Sequence, residues 1–408
     1  MLTTDEQSSP RTPHGGSARI CFAARKAVPV LREFAGQADE ESRLPGESAD
    51  ALANAGMFRL AVPATLGGHE ASVRTCLEAT AALAHGCAAA SWITAISYGA
   101  QQIAASFGER VRSELWGDTP DVPLCGSFNP ATVTVTRADG GQLVSGRWPW
   151  SSGAHHARWA VLAMPKLDAT GQETRPALAA IPLAELAIEE TWDMAGMRGT
   201  GSHTLTAEQC FVPDHRIRLF AAVLAGAPGS AEPLYRVPAG AMTITLMGPL
   251  LGAAEEIFDL TMAAVEKGKP MASSFYRSLA DSPGIQGSLA DAATLIDSAR
   301  LHLFSSADYI DAAVADGAAG TDRVGSTDSV ARARVRMDTG YAAKCLREAA
   351  RLLLSIGGAS SFARGNPVQR LWRDLETGSR QPTLSTDLNR EIYGRALVGA
   401  QDQVSLLI

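Results

Sequence analysis

The segment GRWPWSSGAHHARW, residues 146–159, combines residue types found in metal sites and in nucleophilic sites. His155 and His156 are poorly placed to share one ion, because neighbouring strand residues point to opposite faces and no cysteine or carboxylate stands at ligand spacing. Ser151 and Ser152 lack the G-x-S-x-G sequence that exposes a nucleophilic serine. The segment therefore favours neither metal binding nor covalent catalysis.

A third interpretation of the segment is an aromatic wall with polar groups at its edge. Trp150 can present a flat apolar surface to a planar ligand. Ser151 and Ser152 can each offer a hydroxyl or a backbone N–H to the rim of that ligand. The simpler alternative is a strand turn whose hydroxyls are satisfied locally.

The sequence RGTGS, residues 198–202, offers a second polar turn. Its glycines, Gly201 among them, allow the backbone to approach a ligand closely, and Thr200 and Ser202 supply hydroxyls. A polar turn that merely precedes a strand explains the same residues. The motif supports a ligand-binding site only if the fold places it next to the segment that contains Trp150.

Composition limits the classes of protein that this chain can be. Its 408 residues are 46% hydrophobic and 19% charged, which allows a large core and predicts about two or three domains. A net charge of −7 with scattered basic residues argues against a nucleic-acid partner. Arg332, Arg334 and Arg336 alternate with apolar residues and are expected on a solvated helix face.

Cysteine usage and hydropathy point to a cytoplasmic protein. The six cysteines lie far apart without a C-x-x-C pair, so neither a zinc site nor a disulfide framework is expected. The long uncharged run 237–254 contains prolines and glycines, which favours a buried helix with a broken start over a membrane span. No membrane partner is therefore expected.

Hydrophobic periodicity divides the chain into a tail and three regions. Residues 1–17 are polar and predict a disordered tail. Residues 18–120 repeat apolar residues with helical spacing, and the charge-free CAAASWITAISYGAQQIAASF predicts a buried helix. Residues 121–236 contain short strands, including a hairpin around ADGG with Val133 and Val135 on one face. Residues 237–408 contain long helices that end at glycines, with one start at Asn366–Pro367.

This order of elements resembles the acyl-CoA dehydrogenase fold. WDMAGMRGTGSHTLTAEQCFVPDHR and GGASSFARGNPVQRLWRD are similar to two signatures of that family. The resemblance implies a mainly α protein, with an N-terminal helical domain, a middle β-barrel or sandwich and a C-terminal four-helix bundle. GRWPWSSG further resembles the oxygenase components of two-component flavin-dependent monooxygenases, whose pattern is matched by Trp148, Trp150, Ser152 and Gly153.

The resemblance implies a set of flavin-binding residues. Those expected along the ring are Gly126, Ser127, Trp150, Ser151, Ser152, Thr200, Gly201 and Ser202. Arg277, Gly357 and Gly358 are expected to reach the cofactor of a neighbouring subunit, in a homotetramer. A solvated arginine and a plain helix C-cap are the alternatives for these last positions.

The carboxylate base of an acyl-CoA dehydrogenase is missing at both places where that family supplies it. No acid lies between Glu376 and Asp387, and none lies between Glu232 and Glu255. Removal of the proton next to a thioester carbonyl needs such a base. Dehydrogenation of an acyl thioester is therefore disfavoured.

Oxygen chemistry remains, and the resemblance implies that reduced flavin, FADH2 or FMNH2, reacts with O2 to give a hydroperoxide. That species needs a dry pocket and a hydrogen bond at the flavin N5. Ser151 and Ser152 suit the hydrogen bond. The helix that carries Trp92, Ile96 and Tyr98 suits the dry wall, with plain core packing as its alternative.

Gln381 stands where the monooxygenases often carry a histidine that orients or deprotonates a phenol. Glutamine cannot take a proton at neutral pH, but it can still form hydrogen bonds. The expected function is the oxygenase component of a two-component system, supplied by a separate NAD(P)H:flavin reductase and acting on a small aromatic or amine substrate. An amine or amino-sugar N-oxygenase, a dehydrogenase with a displaced base and a non-catalytic binding protein stay open.

Overall fold

A computed structural model describes residues 15–168, 170–226, 230, 232–238, 240–318, 329–400, 402, 404 and 405. Its N-terminal region consists of the helices α1 (Gly15–Glu41), α2 (Gly46–Asn54), α3 (Val73–Ala84), α4 (Ala88–Ala105) and α5 (Glu109–Trp116). Helix α4 is buried on nearly every face, which confirms the interpretation of its charge-free sequence.

The predicted tail is partly wrong. Residues 1–14 lie outside the described part of the chain, whereas residues 15–17 already belong to α1. The hydroxyl of Ser17 accepts a hydrogen bond of 2.9 Å from Thr75 Oγ1 on α3. This contact with α3 explains why α1 begins at Gly15, although the polar composition of residues 15–17 favoured a disordered tail.

The middle region is a sandwich of two four-stranded sheets, with strand orders β1-β4-β5-β8 and β2-β3-β7-β6. Its strands are β1 (Leu124–Ser127), β2 (Thr132–Ala138), β3 (Gly141–Trp148), β4 (Trp159–Leu167), β5 (Glu173–Pro182), β6 (Ala187–Glu189), β7 (Thr204–Pro213) and β8 (Ile217–Leu219). Strands β1 and β4 run parallel, and the other described pairs are antiparallel. Apolar side chains from both sheets fill the space between them.

The predicted hairpin is formed by β2 and β3. Val133 pairs with Gly146 and Val135 with Val144, and both valines pack against the sandwich core. Gly140 in the connecting turn has a φ of 69°, which glycine adopts at little cost.

The C-terminal region is a helical bundle that follows the short helix α6 (Phe220–Leu224). It contains α7 (Met247–Glu266), α8 (Pro283–Ala318), α9 (Ser329–Gly357), α10 (Pro367–Gly378) and α11 (Thr386–Leu397). Helix α9 contacts α7, α8 and α11, while α10 lies against α7. Asn366 caps α10, because its side chain accepts the N–H of Val368 at 3.0 Å. The acyl-CoA dehydrogenase-like architecture is confirmed.

The long apolar run is a core helix with a broken start, as predicted. A 3₁₀ segment (Ala241–Leu246) precedes α7. The combined stretch Ala241–Glu266 is long and apolar enough to cross a membrane, but its most apolar window is 78% buried inside the protein. A Cβ at Gly252 would stand 1.9 Å from the carbonyl oxygen of Ala81, so glycine is what allows α7 to pack closely on α3.

The solvated-face interpretation is wrong for Arg336. This side chain is buried and donates to Asn389 Oδ1 at 2.9 Å, because α11 packs over that side of α9. Arg334 does face outward, paired with Asp338 at 2.8 Å.

Candidate active site

A cavity of about 1070 Å³ lies between α4, the β-sandwich and the C-terminal end of α10. Aromatic side chains form much of its wall: Trp92, Phe128, Trp150, Trp192, Phe220 and Trp372. Aliphatic and methionine side chains share the rest of the lining with polar residues, among them Glu376 and Arg380, and the exposed surface of the cavity is mainly apolar. Its size allows a planar ring system and a small second ligand to be held together.

Trp148, which ends β3, and Trp150, which follows it, have different environments. Trp148 is fully buried, and its Nε1–H donates to the carbonyl of Ala163 at 2.7 Å, which anchors the segment in the sandwich. Trp150 lines the cavity with 59% of its surface exposed. Its ring meets Trp192 edge to face, with centroids 5.3 Å apart. Trp150 also has a φ of 65°, an uncommon backbone conformation for a bulky residue.

Only one of the two adjacent serines reaches the cavity. The Ser151 hydroxyl donates to the carbonyl of Trp148 at 3.0 Å, and its N–H donates to the carbonyl of His203 at 3.1 Å. Ser151 is fully buried behind the lining, so the structure offers no route by which it meets a ligand in this cavity, and its predicted contact stays a prediction. Ser152 lines the cavity, and its hydroxyl lies 2.7 Å from that of Ser202.

The RGTGS turn does lie beside this segment. Thr200 and Ser202 line the cavity, and their hydroxyl oxygens are 2.7 Å apart. Gly153 N–H donates to the carbonyl of Thr200 at 2.8 Å, which joins the two turns directly. Gly201 is outside the lining. Its φ of 50° turns the chain behind the wall, where a Cβ would lie 3.1 Å from the carbonyl oxygen of Ser42.

Met197 fixes the start of this turn. Its carbonyl accepts from the Thr200 hydroxyl at 2.7 Å and from Trp192 Nε1–H at 3.0 Å. Its N–H donates to Oδ1 of Asp374 on α10 at 2.5 Å. Burial raises the pKa of Asp374 to about 7. Both backbone polar groups of Met197 are therefore held by hydrogen bonds.

Gln381 lies in the lining beyond the end of α10, as expected for a ligand-facing residue. Its Oε1 accepts the backbone N–H of Thr383 at 2.7 Å and also the Thr383 hydroxyl. Since Oε1 faces two donors, the amide orientation is fixed, and Nε2 is the end left for a ligand.

Glu376 is a cavity residue that the sequence pattern did not bring out. It lies on α10 and forms an ion pair with Arg380, four residues on, which also lines the cavity. The interval expected to hold a dehydrogenase base begins only after Glu376. Arg380 stands four residues after Glu376, and this i, i+4 spacing was the sequence signal that could have indicated a paired carboxylate.

Helix α4 supplies part of the apolar wall. Trp92 and Ile96 line the cavity, as expected for this face of the helix. Tyr98 does not line it. Its hydroxyl donates to the carbonyl of Ala71 at 2.8 Å, on the side of α4 that faces away from the site. The expectation for Tyr98 is therefore wrong.

The first flavin-facing loop predicted from the sequence lies at the end of β1. Gly126 and Ser127 both line the cavity. The Ser127 hydroxyl donates to the carbonyl of Pro149 at 2.6 Å, so it ties β1 to the segment that carries Trp150.

The three residues expected to reach the cofactor of a neighbouring subunit also lie outside the cavity of this chain. Arg277 is exposed in the connection between α7 and α8, beside the fully exposed Phe275. Gly357 ends α9, and Gly358 follows with a φ of 58°, which is the conformation of a helix C-cap. Their expected role toward a neighbouring subunit stays a prediction.

The two adjacent histidines support the loops around the cavity. His156 Nε2 lies 3.0 Å from the carbonyl of Leu44, and His155 packs edge to face on His203 with ring centroids 5.0 Å apart. Burial lowers the pKa of all three imidazoles. His203 Nδ1 accepts two backbone N–H groups, so its neutral form positions residues 191–192.

Among the described residues, one group of side chains is close enough to share a metal ion: His85, Glu256 and Asp259. It lies outside the cavity lining, and its members are engaged in ion pairs. His85 Nδ1 is 3.0 Å from Glu256 and Nε2 is 3.2 Å from Glu255, which raises the pKa of His85 to about 9. The group is an ionic cluster between α7 and the end of α3.

Comparisons with known proteins identify the family. The descriptions "Acyl-CoA dehydrogenase, N-terminal domain" and "Acyl-CoA dehydrogenase, C-terminal domain" match residues 21–115 and 244–383. The oxygenase subunit HsaA of a flavin-dependent monooxygenase from Rhodococcus jostii (strain RHA1) is 32% identical over 91% of this chain and 96% of its own. This chain belongs to the flavin-dependent monooxygenase oxygenase subunits.

Two further relatives agree with this assignment. The oxygenase component of an FADH2-dependent resorcinol hydroxylase from Rhizobium sp. (strain MTP-10005) is 28% identical over 97% of each chain. The structure of XiaF from Streptomyces sp., in complex with FADH2 and glycerol, superimposes with a TM-score of 0.89 at 31% identity and covers 95% of this chain and 97% of XiaF.

The cavity fits the reduced flavin of this family of monooxygenases. Trp150 and Trp192 provide flat apolar surface for a tricyclic ring, and Ser152 provides a polar atom between them and the RGTGS turn. When bound, the reduced flavin supplies the electrons that activate O2. The protein's part is to hold the ring, fix a hydrogen bond at its edge and exclude water.

Most of the cavity's aromatic surface was not predictable from the sequence. Phe128, Trp192, Phe220 and Trp372 each stand alone in their segments, and only the fold brings them together. A tryptophan close before RGTGS was the single signal available for Trp192.

Proposed function

We propose that this oxygenase component takes FADH2 from a separate NAD(P)H:flavin reductase and hydroxylates a flat aromatic or heteroaromatic substrate with O2. One oxygen atom enters the substrate and the other leaves as water, while the reduced flavin supplies two electrons. XiaF, which carries FADH2, and the FADH2-dependent resorcinol hydroxylase support FAD over FMN. The six cysteines are all free thiols, which supports a reducing cytoplasm.

The observation that carries this proposal is the pairing of Ser152 with an aromatic wall inside one largely apolar cavity. The hydroxyl of Ser152 lies in the lining beside Trp150, so a planar ring against that wall has a polar neighbour at its edge. Side chains such as Ile96 and Met194 keep the exposed surface of the cavity mainly apolar. A mainly apolar cavity limits wasteful release of peroxide.

Gln381 narrows the substrate class. Because Thr383 holds Oε1, Gln381 presents the N–H groups of Nε2 to the cavity. A donor pairs with an acceptor, so we propose a substrate whose ring carries a hydroxyl, phenolate or carbonyl oxygen. Gln381 positions such a group but does not remove its proton.

We also propose a homotetramer in which Arg277 of one subunit reaches the flavin phosphates of another. Arg277 is exposed and lies two residues from the fully exposed Phe275, so both side chains are accessible to another subunit. Light scattering gives the subunit number. Arg277→Ala should weaken FADH2 binding without changing the aromatic wall.

The proposal is tested by mixing the protein with FADH2, ¹⁸O2 and a panel of resorcinol, indole and 4-hydroxyphenylacetate. A product that gains one labelled oxygen on a ring carbon supports it, and oxygen on nitrogen supports an N-oxygenase instead. A protein that purifies with tightly bound oxidised FAD and reduces a dye with an acyl-CoA is a dehydrogenase. In that case Glu376→Gln should abolish the dye reduction.

A further inference from the structure

The hydroxyls of Ser152, Ser202 and Thr200 form a continuous chain that ends on a backbone carbonyl. Successive oxygens are 2.7 Å apart, and Thr200 Oγ1 is 2.7 Å from the carbonyl oxygen of Met197. All three side chains are buried. Each hydroxyl has one hydrogen, whereas a carbonyl has none.

The carbonyl at the end of the chain fixes the direction of every hydrogen bond in it. Thr200 must donate to the Met197 carbonyl, since two oxygens without a hydrogen between them would repel at this distance. Ser202 then donates to Thr200, and Ser152 donates to Ser202. The hydrogen of Ser152 is used inside the wall, so its oxygen presents only lone pairs to the cavity.

The terminal carbonyl cannot rotate to release this arrangement. It also accepts from Trp192 Nε1–H and from the N–H of Thr200, and the preceding peptide is held separately by the bond from Met197 N–H to Asp374. The polarity of the Ser152 hydroxyl is therefore set by the fold.

We propose that this hydroxyl chain makes the site selective for reduced over oxidised flavin. This inference rests on the proposed function, in which Ser152 faces the edge of the flavin ring. The N5 atom of reduced flavin carries a hydrogen that an acceptor-only Ser152 can receive. The N5 atom of oxidised flavin is itself an acceptor, so it meets lone pairs and gains no hydrogen bond. Thr200 and Ser202 are positioning residues that act through Ser152.

The test compares dissociation constants for FADH2, measured anaerobically, with those for oxidised FAD, using quenching of tryptophan fluorescence. In Thr200→Val and Ser202→Ala the chain loses its fixed direction, and Ser152 becomes free to donate. We expect oxidised FAD to bind more tightly than in the wild type, and the preference for FADH2 to fall about tenfold. Thr200→Ser should retain the wild-type preference.

Thr204→Val is the matched control. The Thr204 hydroxyl pairs with that of Thr191, two residues after the end of β6, at 2.8 Å and lies outside the cavity lining. Its removal should leave the preference unchanged. If Thr200→Val and Ser202→Ala keep the wild-type preference, or weaken both redox forms equally, the hydroxyl chain has a structural role only and the inference is wrong. If the wild type binds neither form, the proposed function fails as well.

Discussion

Asp374 and Met197 are joined by a hydrogen bond of 2.5 Å between a buried carboxylate and a backbone N–H, although 177 residues separate them. Asp374 belongs to the RD signature of α10, and Met197 belongs to the signature that contains RGTGS. The two motifs that carried the family resemblance are therefore the two sides of one contact. That contact holds one wall of the cavity.

Gly196 allows this contact, and its replacement tests the contact's importance. A Cβ at this position would lie 2.1 Å from the carbonyl oxygen of Arg373 on α10, a separation that the backbone must move to relieve. We expect Gly196→Ala to lower the free energy of unfolding by about 2 kcal/mol. Urea denaturation followed by circular dichroism measures this change.

A second glycine in a helix provides the control for this substitution. Gly287 lies within α8, and a Cβ added there would meet no atom within 4 Å. Gly287→Ala should therefore stabilise the protein by about 0.5 kcal/mol, through helix propensity. Equal effects of the two substitutions would contradict the close-contact argument.

Ser152→Ala should uncouple the oxygenase. Of the two adjacent serines, only Ser152 reaches the cavity. Without its hydroxyl, more of the O2 should leave as peroxide, and we expect the ratio of peroxide to hydroxylated product to rise about tenfold. Product and peroxide are measured per FADH2 consumed. Ser151→Ala should change stability more than coupling, because the Ser151 hydroxyl donates to the buried carbonyl of Trp148 behind the cavity lining. A larger uncoupling in Ser151→Ala would reverse the assignment.

Gln381→Leu should weaken substrate binding more than it slows turnover. The leucine keeps the volume but offers no N–H, so we expect KM for a phenolic substrate to rise about tenfold, with kcat changed less than about threefold. Gln381→Glu should be worse, since a carboxylate repels a phenolate. Steady-state kinetics with resorcinol measures both parameters. An unchanged KM would show that Gln381 does not contact the substrate.

The fold was predictable where short stretches of sequence determine structure. The charge-free α4 and the alternation of Val133 and Val135 follow from local patterns, and both are confirmed. The argument against a shared metal at His155 and His156 assumed a strand, whereas both residues lie in the turn between β3 and β4. The sequence did not predict which of Ser151 and Ser152 faces the cavity. That depends on which hydroxyl donates to a buried carbonyl in the folded protein.

Residues that meet only in three dimensions explain the remaining differences. Arg336 is buried because α11 covers it, and Tyr98 bonds to a loop on the far side of α4. Neither neighbour is near in sequence. Glu376 was missed because it lies before the sequence interval in which a base was expected. In the structure, residues on both sides of the end of α10 line the cavity.

The stability of the protein should fall as pH rises through the titration of His85. Two hydrogen-bonded carboxylates raise the pKa of His85 from 6.5 to about 9 in the folded state. The charged groups around it come from three helices and comprise Glu255, Glu256, Asp259, Arg32 and Arg300. Because the folded protein binds this proton more tightly, the stabilisation is fully present below pH 6.5 and is lost as pH rises through about 9.

His85→Gln should therefore destabilise the protein mainly at the acidic end of this range. We expect a loss of about 2 kcal/mol near pH 6, a value reduced for screening because 26% of the side chain is exposed, and a much smaller loss above pH 9. Urea midpoints between pH 6 and 9.5 measure the trend. His155→Gln is the control, since burial lowers the pKa of His155, so its contribution changes in the opposite sense, only as pH rises through about 6.5, and is constant at higher pH. A loss in His85→Gln that is constant with pH would mean that the imidazole acts through packing and not through its charge.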